Sequence, residues 1–223
     1  MLAIIQARLS SRRLPGKVLK DLGGQPMLAW TLQRVGAARL VTKLVVATSD
    51  QSDDDAVADY CAGQGVVCHR GPLDNVAGRF AVALRAEQAP AFVRITGDSP
   101  LIDPAVIDAA IRLYEAGDWD LVSNVLVRSF PIGQSVEVVR AQTFLTALGE
   151  MNNEEDREHI TRFLHRNRAH YRTVNFTSGA DMAHIQMSVD TQEDFTLVQD
   201  LIKRTDGRLG GWRELLSLVK VRI

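Results

Sequence analysis

Short apolar runs alternate with longer amphipathic segments through the first half of the chain. Residues 2–6, 43–48, 66–69, 91–96 and 120–124 read as buried strands, nearly continuous in apolar residues. Residues 26–40, 53–64, 75–87 and 104–116 lie between them and read as helices. In 26–40, Met27, Trp30, Leu32 and Val35 are the apolar positions, and Pro26 suits the first turn. Ser52 or Asp53 suits the cap of the second helix, and Asp103 followed by Pro104 the start of the fourth. The β-α-β-α order predicts an α/β fold, with a mostly parallel central sheet covered by helices on both faces.

The pattern changes after Asn124. Residues 135–139, 171–176 and 184–189 read as strands, and residues 154–166, 191–203 and 211–219 as helices. No linker, low-complexity run or internal repeat interrupts them. Residues 1–223 are therefore expected to form a single domain. The stretch 125–181 is read as a β/α insertion that builds the acceptor pocket, a dimer contact, or both.

A chain of 223 residues buries about 70% of its unfolded surface, so a core needs no staples. Net charge is −1, which argues against broad nucleic-acid or membrane-surface binding. The basic residues near the start are thus a local feature. Cys61 and Cys68 are the only cysteines and form no C-x-x-C pair, so zinc and thioredoxin-type chemistry are unsupported. Two cysteines point to reduced thiols in a reducing cytoplasm, with a disulfide between them left open. The apolar run before Arg8 is too short for a signal peptide, and no run reaches the length of a membrane span.

Candidate chemistry concentrates at strand ends. Directly after the first strand, Arg8, Arg12, Arg13 and Lys17 crowd a loop with Ser10, Ser11, Pro15 and Gly16. Crowded cations repel one another unless an anion joins them, and a nucleoside triphosphate is such an anion. Arg holds phosphate oxygens in a fork, and Lys adds a point charge. Gly16 allows close backbone approach and Pro15 restricts the loop. The loop is neither a Walker A motif, since Val18 stands where Ser or Thr is required, nor a G-x-G-x-x-G. The alternative is a solvated basic turn.

Asp98, in Thr96-Gly97-Asp98-Ser99-Pro100, follows the fourth strand and is a candidate Mg²⁺ ligand or a turn aspartate. Asp190 precedes Thr191 and Asp194, which fit a capping box, so Asp190 is either a second metal carboxylate or itself the cap. Arg70 follows the third strand, where it would reach a base or phosphate. Arg79 lies inside a helix and reads as a surface residue. Arg157, Glu158 and His159 would face an acceptor or form a solvated helix face. His165 and His170 lack metal-ligand spacing. There is no G-x-S-x-G elbow. Trp30, Trp119 and Trp212 read as core or interface residues.

Together these parts resemble the cytidylyltransferases that make CMP-activated sugar acids. That group includes CMP-Kdo synthetase and acylneuraminate cytidylyltransferase, and the likeness is greatest to the spore-coat polysaccharide branch. The residues that carry it are Ile5-Gln6-Ala7-Arg8, Ser11, Arg13, Leu14-Pro15-Gly16-Lys17 and Val18-Leu19. Arg70-Gly71, Arg94 through Pro104, Arg157-Glu158-His159, Val189-Asp190-Thr191 and Glu193-Asp194 extend it. The resemblance implies a Rossmann-like nucleotidyltransferase fold, CTP as donor, Mg²⁺ as cofactor, a sugar acid as acceptor and a homodimer. It implies triphosphate binding by Arg8, Ser11, Arg13 and Lys17 and metal binding by Asp98 and Asp190. The residues themselves add Gly16 and Arg70 as nucleotide contacts, and catalytic roles fall to Arg13, Lys17 and both aspartates. Glu137, Arg157 and His159 are the candidate acceptor contacts. The chain departs from the Kdo enzymes at Thr96 and Ser99, and from spore-coat relatives at Ser135, where an acidic residue is common. Other readings are a sugar-1-phosphate nucleotidyltransferase, a metal-dependent glycosyltransferase, and a non-catalytic nucleotide-binding subunit.

Overall fold

The computed structural model describes residues 1–218. Seven strands form one sheet in the order β3-β2-β1-β4-β6-β5-β7. They are β1 (Leu2–Gln6), β2 (Lys43–Ser49), β3 (Val67–Gly71), β4 (Ala91–Thr96), β5 (Leu121–Ser123), β6 (Glu137–Arg140) and β7 (Thr173–Asn175). Only β6 runs against its neighbours β4 and β5; every other pairing is parallel. β2 and β3 step away from β1 on one side, and β4 joins it on the other. That reversal opens a crevice outside the carboxyl ends of β1 and β4, where ligands bind in open α/β sheets.

The helices are α1 (Met27–Gly36), α2 (Asp55–Gly63), α3 (Val76–Glu87), α4 (Pro104–Glu115), α5 (Ala141–Leu148), α6 (Glu154–Glu158), α7 (Arg162–Arg166), α8 (Gln192–Arg204) and α9 (Trp212–Leu218). Each sheet face buries its own apolar layer. Ala3, Ile5, Val93 and Ile95 pack with residues of α1, α4, α8 and α9. Leu2, Ile4 and Phe92 pack with α3, α5 and α7. In the second layer Phe80, Phe92 and Phe144 meet with ring centroids 5.4 to 6.5 Å apart, spacings at which aromatic pairs attract.

Several sequence expectations need correction. The segment 154–166 is not one helix: the backbone leaves helical geometry at His159, and α7 starts a turn later. The break lets Glu158 face the crevice while Thr161 and His165 bond the buried Glu137. Residues 184–189 form no strand, only an isolated bridge from Gln186 to Ile132. Neither Ser52 nor Asp53 caps α2; a 3-10 turn over Ser52–Asp54 precedes it. The amphipathic α5 escaped the sequence reading. Val219, the last position expected in the final helix, lies outside the described residues.

Candidate active site

The loop after β1 is built by backbone bonds and one buried carboxylate. Gly16 adopts φ +71°, a left-handed conformation that costs a side-chain-bearing residue dearly, and its N–H donates to Leu9 O at 2.9 Å. Asp54, 1% exposed, accepts from Leu9 N at 2.7 Å and from Ser49 N at 3.2 Å. It thus ties the basic loop to the end of β2. Sequence reading missed Asp54, because a helix-start aspartate looks like a cap; its side chain is turned to the loop instead. Gly97 closes the other side. Its N–H donates to Gln6 O at 2.8 Å, and a Cβ there would lie 3.0 Å from both Gln6 O and Ala7 Cβ. Only glycine lets the ends of β1 and β4 approach so closely.

Lys17 is the centre of the arrangement. Its side chain is 8% exposed, and its ammonium donates to Val189 O at 2.6 Å, to Asp98 Oδ2 at 3.1 Å and to Asp190 Oδ1 at 3.1 Å. All three of its donors are used. The two carboxylates, 92 positions apart in sequence, therefore have oxygens no more than twice 3.1 Å apart. A backbone bond from Val189 N to Asp98 O at 2.8 Å locks the two segments together. Arg13 adds an ion pair to Asp190 Oδ1 at 2.8 Å. Asp190 is not the helix cap: Thr191 caps α8 in a complete capping box with Asp194, which leaves the Asp190 carboxylate free for these cations. Asp98 and Asp190 keep about a quarter of their side-chain surface exposed.

An open cavity of about 1060 Å³ lies over this cluster. One wall carries Arg8, Ser11, Arg12, Arg13 and Lys17; Gln6, Thr96, Gly97 and Asp98 form the sheet end; Glu154, Glu155, Glu158 and His159 face them from around α6. Arg8 reaches across to Glu158 Oε1 at 2.7 Å. Ser11 Oγ accepts from Leu14 N at 3.4 Å, inside the loop.

Arg8, Ser11, Arg13, Lys17, Asp98 and Asp190 are thus brought together; all of them but Asp190 line the cavity, as does His159. Three other candidates are not brought there. Arg70 is outside the cavity lining, with its guanidinium on Ser49 O, Gln51 O and Asp55. Arg157 bonds Met151 O. Glu137 is 1% exposed and accepts from Thr161 Oγ1 at 2.6 Å, Arg94 Nη1 at 2.9 Å and Ser123 Oγ at 3.1 Å, with His165 Nε2 at 2.7 Å. Burial pushes its carboxyl pKa up, but the bond from His165 and the charge of Arg94 outweigh that and hold it down at about 2. Arg79, expected at the surface, is 2% exposed. Cys61 and Cys68 are both free thiols.

Among the described residues, no group of three or more His, Cys, Asp or Glu forms a metal site. Asp98 and Asp190 offer two hard-oxygen ligands. That set suits Mg²⁺, which takes one or two carboxylates and completes its shell with substrate phosphates and water. The cations beside them suit the polyanion that would bring the metal in.

The sequence profile of the family described as Cytidylyltransferase matches residues 2–218. The chain is 32% identical to the spore coat polysaccharide biosynthesis protein SpsF of Bacillus subtilis (strain 168), over 93% of this chain and 88% of that protein. It is 42% identical to the 3-deoxy-manno-octulosonate cytidylyltransferase of Geobacter sulfurreducens, over 49% of this chain and 43% of that one. The solved structure of a cytidylyltransferase from Leptospira borgpetersenii superposes with a TM-score of 0.92 at 25% identity, covering 98% of this chain and 92% of that one. A CMP:2-keto-3-deoxy-manno-octonic acid synthetase complexed with CTP shares the fold at a TM-score of 0.68 and 18% identity, over 91% and 98% of the two chains.

Proposed function

Since this chain belongs to the cytidylyltransferase family, we propose that it transfers CMP from CTP to a hydroxyl of a sugar acid, releasing pyrophosphate, in surface polysaccharide or glycan synthesis. The observation that carries this reading is the Lys17 ammonium within 3.1 Å of both Asp98 and Asp190. It joins a phosphate-attracting loop to a metal-ligating carboxylate pair at a single point in the crevice.

The acceptor hydroxyl oxygen bonds the α-phosphorus as the bond from that phosphorus to the bridging oxygen of the β-phosphate breaks; pyrophosphate leaves with the electron pair of that bond, and the hydroxyl proton passes to water. The chain has little covalent work to do in such a reaction, so its residues act by position and charge. Arg8, Arg13 and Lys17 receive the phosphates and balance the charge that grows on departing pyrophosphate. Arg8 must exchange Glu158, and Lys17 one of its three present partners, for a phosphate oxygen. Asp98 and Asp190 would hold Mg²⁺. The chemistry that a bound Mg²⁺ supplies there is charge neutralisation on phosphate oxygens and a lowered pKa for the acceptor hydroxyl. Gly16 and Gly97 hold the backbone close around the phosphates, and His159 borders the acceptor side.

The proposal extends to a cytoplasmic homodimer acting on small molecules, without nucleic acid or membrane as partner. A net charge of −1 fits a chain without a nucleic-acid or membrane-surface partner, and among the described residues no helix is long and apolar enough to cross a membrane.

A pyrophosphate-release screen tests the reading, with CTP, UTP and GTP offered against sialic, pseudaminic, legionaminic and Kdo-type acids, neutral polyols and sugar 1-phosphates. Mg²⁺-dependent release from CTP with a sugar acid is expected. Release from UTP or GTP with a sugar 1-phosphate would replace this reading with a sugar-1-phosphate nucleotidyltransferase.

A further inference from the structure

Arg79 stands in the first turn of α3, four positions after its N-cap Asn75. It is among the largest fully buried side chains of the protein. Its Nε and Nη1 are sealed from solvent with no hydrogen-bond partner among the described residues. Buried guanidinium groups are normally paired, because removing the charge from water is costly without acceptors. Here burial lowers the pKa of Arg79, and the next largest influence is the positive charge of Arg8, before the carboxylates of Glu158, Asp54 and Asp50. Two other buried cations have oxygen partners: Lys17 has three, and Arg34 bonds Ile102 O, Leu209 O and Gly210 O.

The position of Arg79 says what it lacks. Its side chain packs on Gly71, at the carboxyl end of β3, where a Cβ would lie 3.1 Å from Arg79 Cγ. Leu73 and Asp74, between them in sequence, line the large cavity, as do Arg8 and Glu158. Arg79 does not itself line the cavity; it lies next to the wall that Leu73 and Asp74 form on the β2–β3 flank, away from Asp98 at the end of β4. The triphosphate already has Arg8, Arg12, Arg13 and Lys17 on an open wall. A hydrated metal–triphosphate resists entering a dry site, whereas a flat nucleobase enters one readily.

We propose that Arg79 is a specificity-determining residue that donates hydrogen bonds to the acceptor edge of the cytosine ring, its O2 and N3. The inference rests on the CTP reading above and goes beyond it in naming the base-reading residue. Arginine has donors only. Cytosine offers two adjacent acceptors, O2 and N3, while uracil carries a hydrogen on N3 that opposes a donor. Arg79 thus favours CTP over UTP, and the nucleotide supplies the partner that the chain leaves out.

The experiment measures CTP, UTP and tripolyphosphate binding by calorimetry, and melting without ligand, for wild type, Arg79→Met and Arg79→Lys. The expected result for Arg79→Met is a loss of CTP affinity of at least about tenfold, a CTP-to-UTP preference reduced by a similar factor, and unchanged tripolyphosphate affinity. Its melting temperature without ligand should equal or exceed wild type, because the variant removes an unpaired buried charge. Arg79→Lys should retain the fold yet lose most of the base preference. CTP binding and preference left intact in Arg79→Met, equal losses for CTP and tripolyphosphate, or a lowered melting temperature in both variants with binding unchanged would each overturn the assignment. A wild type that binds no CTP would instead sink the cytidylyltransfer reading itself.

Discussion

Of two carboxylate clusters, one sits within the sheet at Glu137 of β6 and the other just beyond the end of β4 at Asp98 with Asp190, and their difference separates structure from chemistry. Glu137 of β6 lies in register with Arg94 of β4 on one side and Ser123 of β5 on the other. His165 and Thr161 close over it. Its charge is sealed and every partner is protein. Asp98 and Asp190 are also held by cations, yet each keeps about a quarter of its surface open, and Asp98 lines the large cavity. A sealed, fully partnered carboxylate holds elements together. An open pair sharing one ammonium can exchange partners when a ligand arrives.

The largest effect that would break this contrast is on turnover. Asp98→Asn should lower pyrophosphate release on the order of a hundredfold or more while the melting temperature stays near wild type. Steady-state assays and thermal melts measured together check it. Glu137→Ala should do the reverse. Removing one member of a buried ion pair costs about 3–5 kcal/mol, so denaturant midpoints should fall sharply.

The contrast was only half legible in the sequence. The basic loop, the parallel strands and the aspartate after β4 announce themselves through apolar runs followed by charged turns. The role of Asp190 could not be separated from capping, because only the capping box formed by Thr191 and Asp194 frees it. Glu137 looked like an acceptor contact because its strand is short and its partners come from 14 to 43 positions away. The break between α6 and α7 was hidden for the same reason: local propensity favours one helix, and the tertiary pull of Glu137 on Thr161 and His165 wins. Arg79 read as a surface residue because a lone arginine in a helix usually is one, and only tertiary packing reveals that this one is covered.

Smaller effects sharpen the comparison. Lys17→Met should cut kcat by at least about tenfold, beyond any change in KM for CTP, since its charge is needed most as pyrophosphate departs. An unchanged kcat would assign Lys17 to ground-state binding alone. Acid should weaken the sealed cluster. The Glu137 carboxyl falls from 4.5 to about 2 on folding, so its stabilising contribution is complete above about pH 4.5 and is lost as pH drops toward 2. The stability gap between wild type and Glu137→Gln should therefore shrink across that window, which denaturant unfolding at stepped pH would show. Last, the exposed pair of Glu155 and Arg162 is worth at most about 1 kcal/mol, and Arg162→Gln should barely move the midpoint.

The central claim is that Asp98 and Asp190 together receive a metal–nucleotide. Paramagnetic Mn²⁺ titration in the presence of CTP, followed by electron spin resonance, reads this directly. Wild type should bind Mn²⁺ tightly only when CTP is present, and Asp98→Asn and Asp190→Asn should each weaken that binding by an order of magnitude or more. Equal Mn²⁺–CTP binding by wild type and both variants would contradict the account.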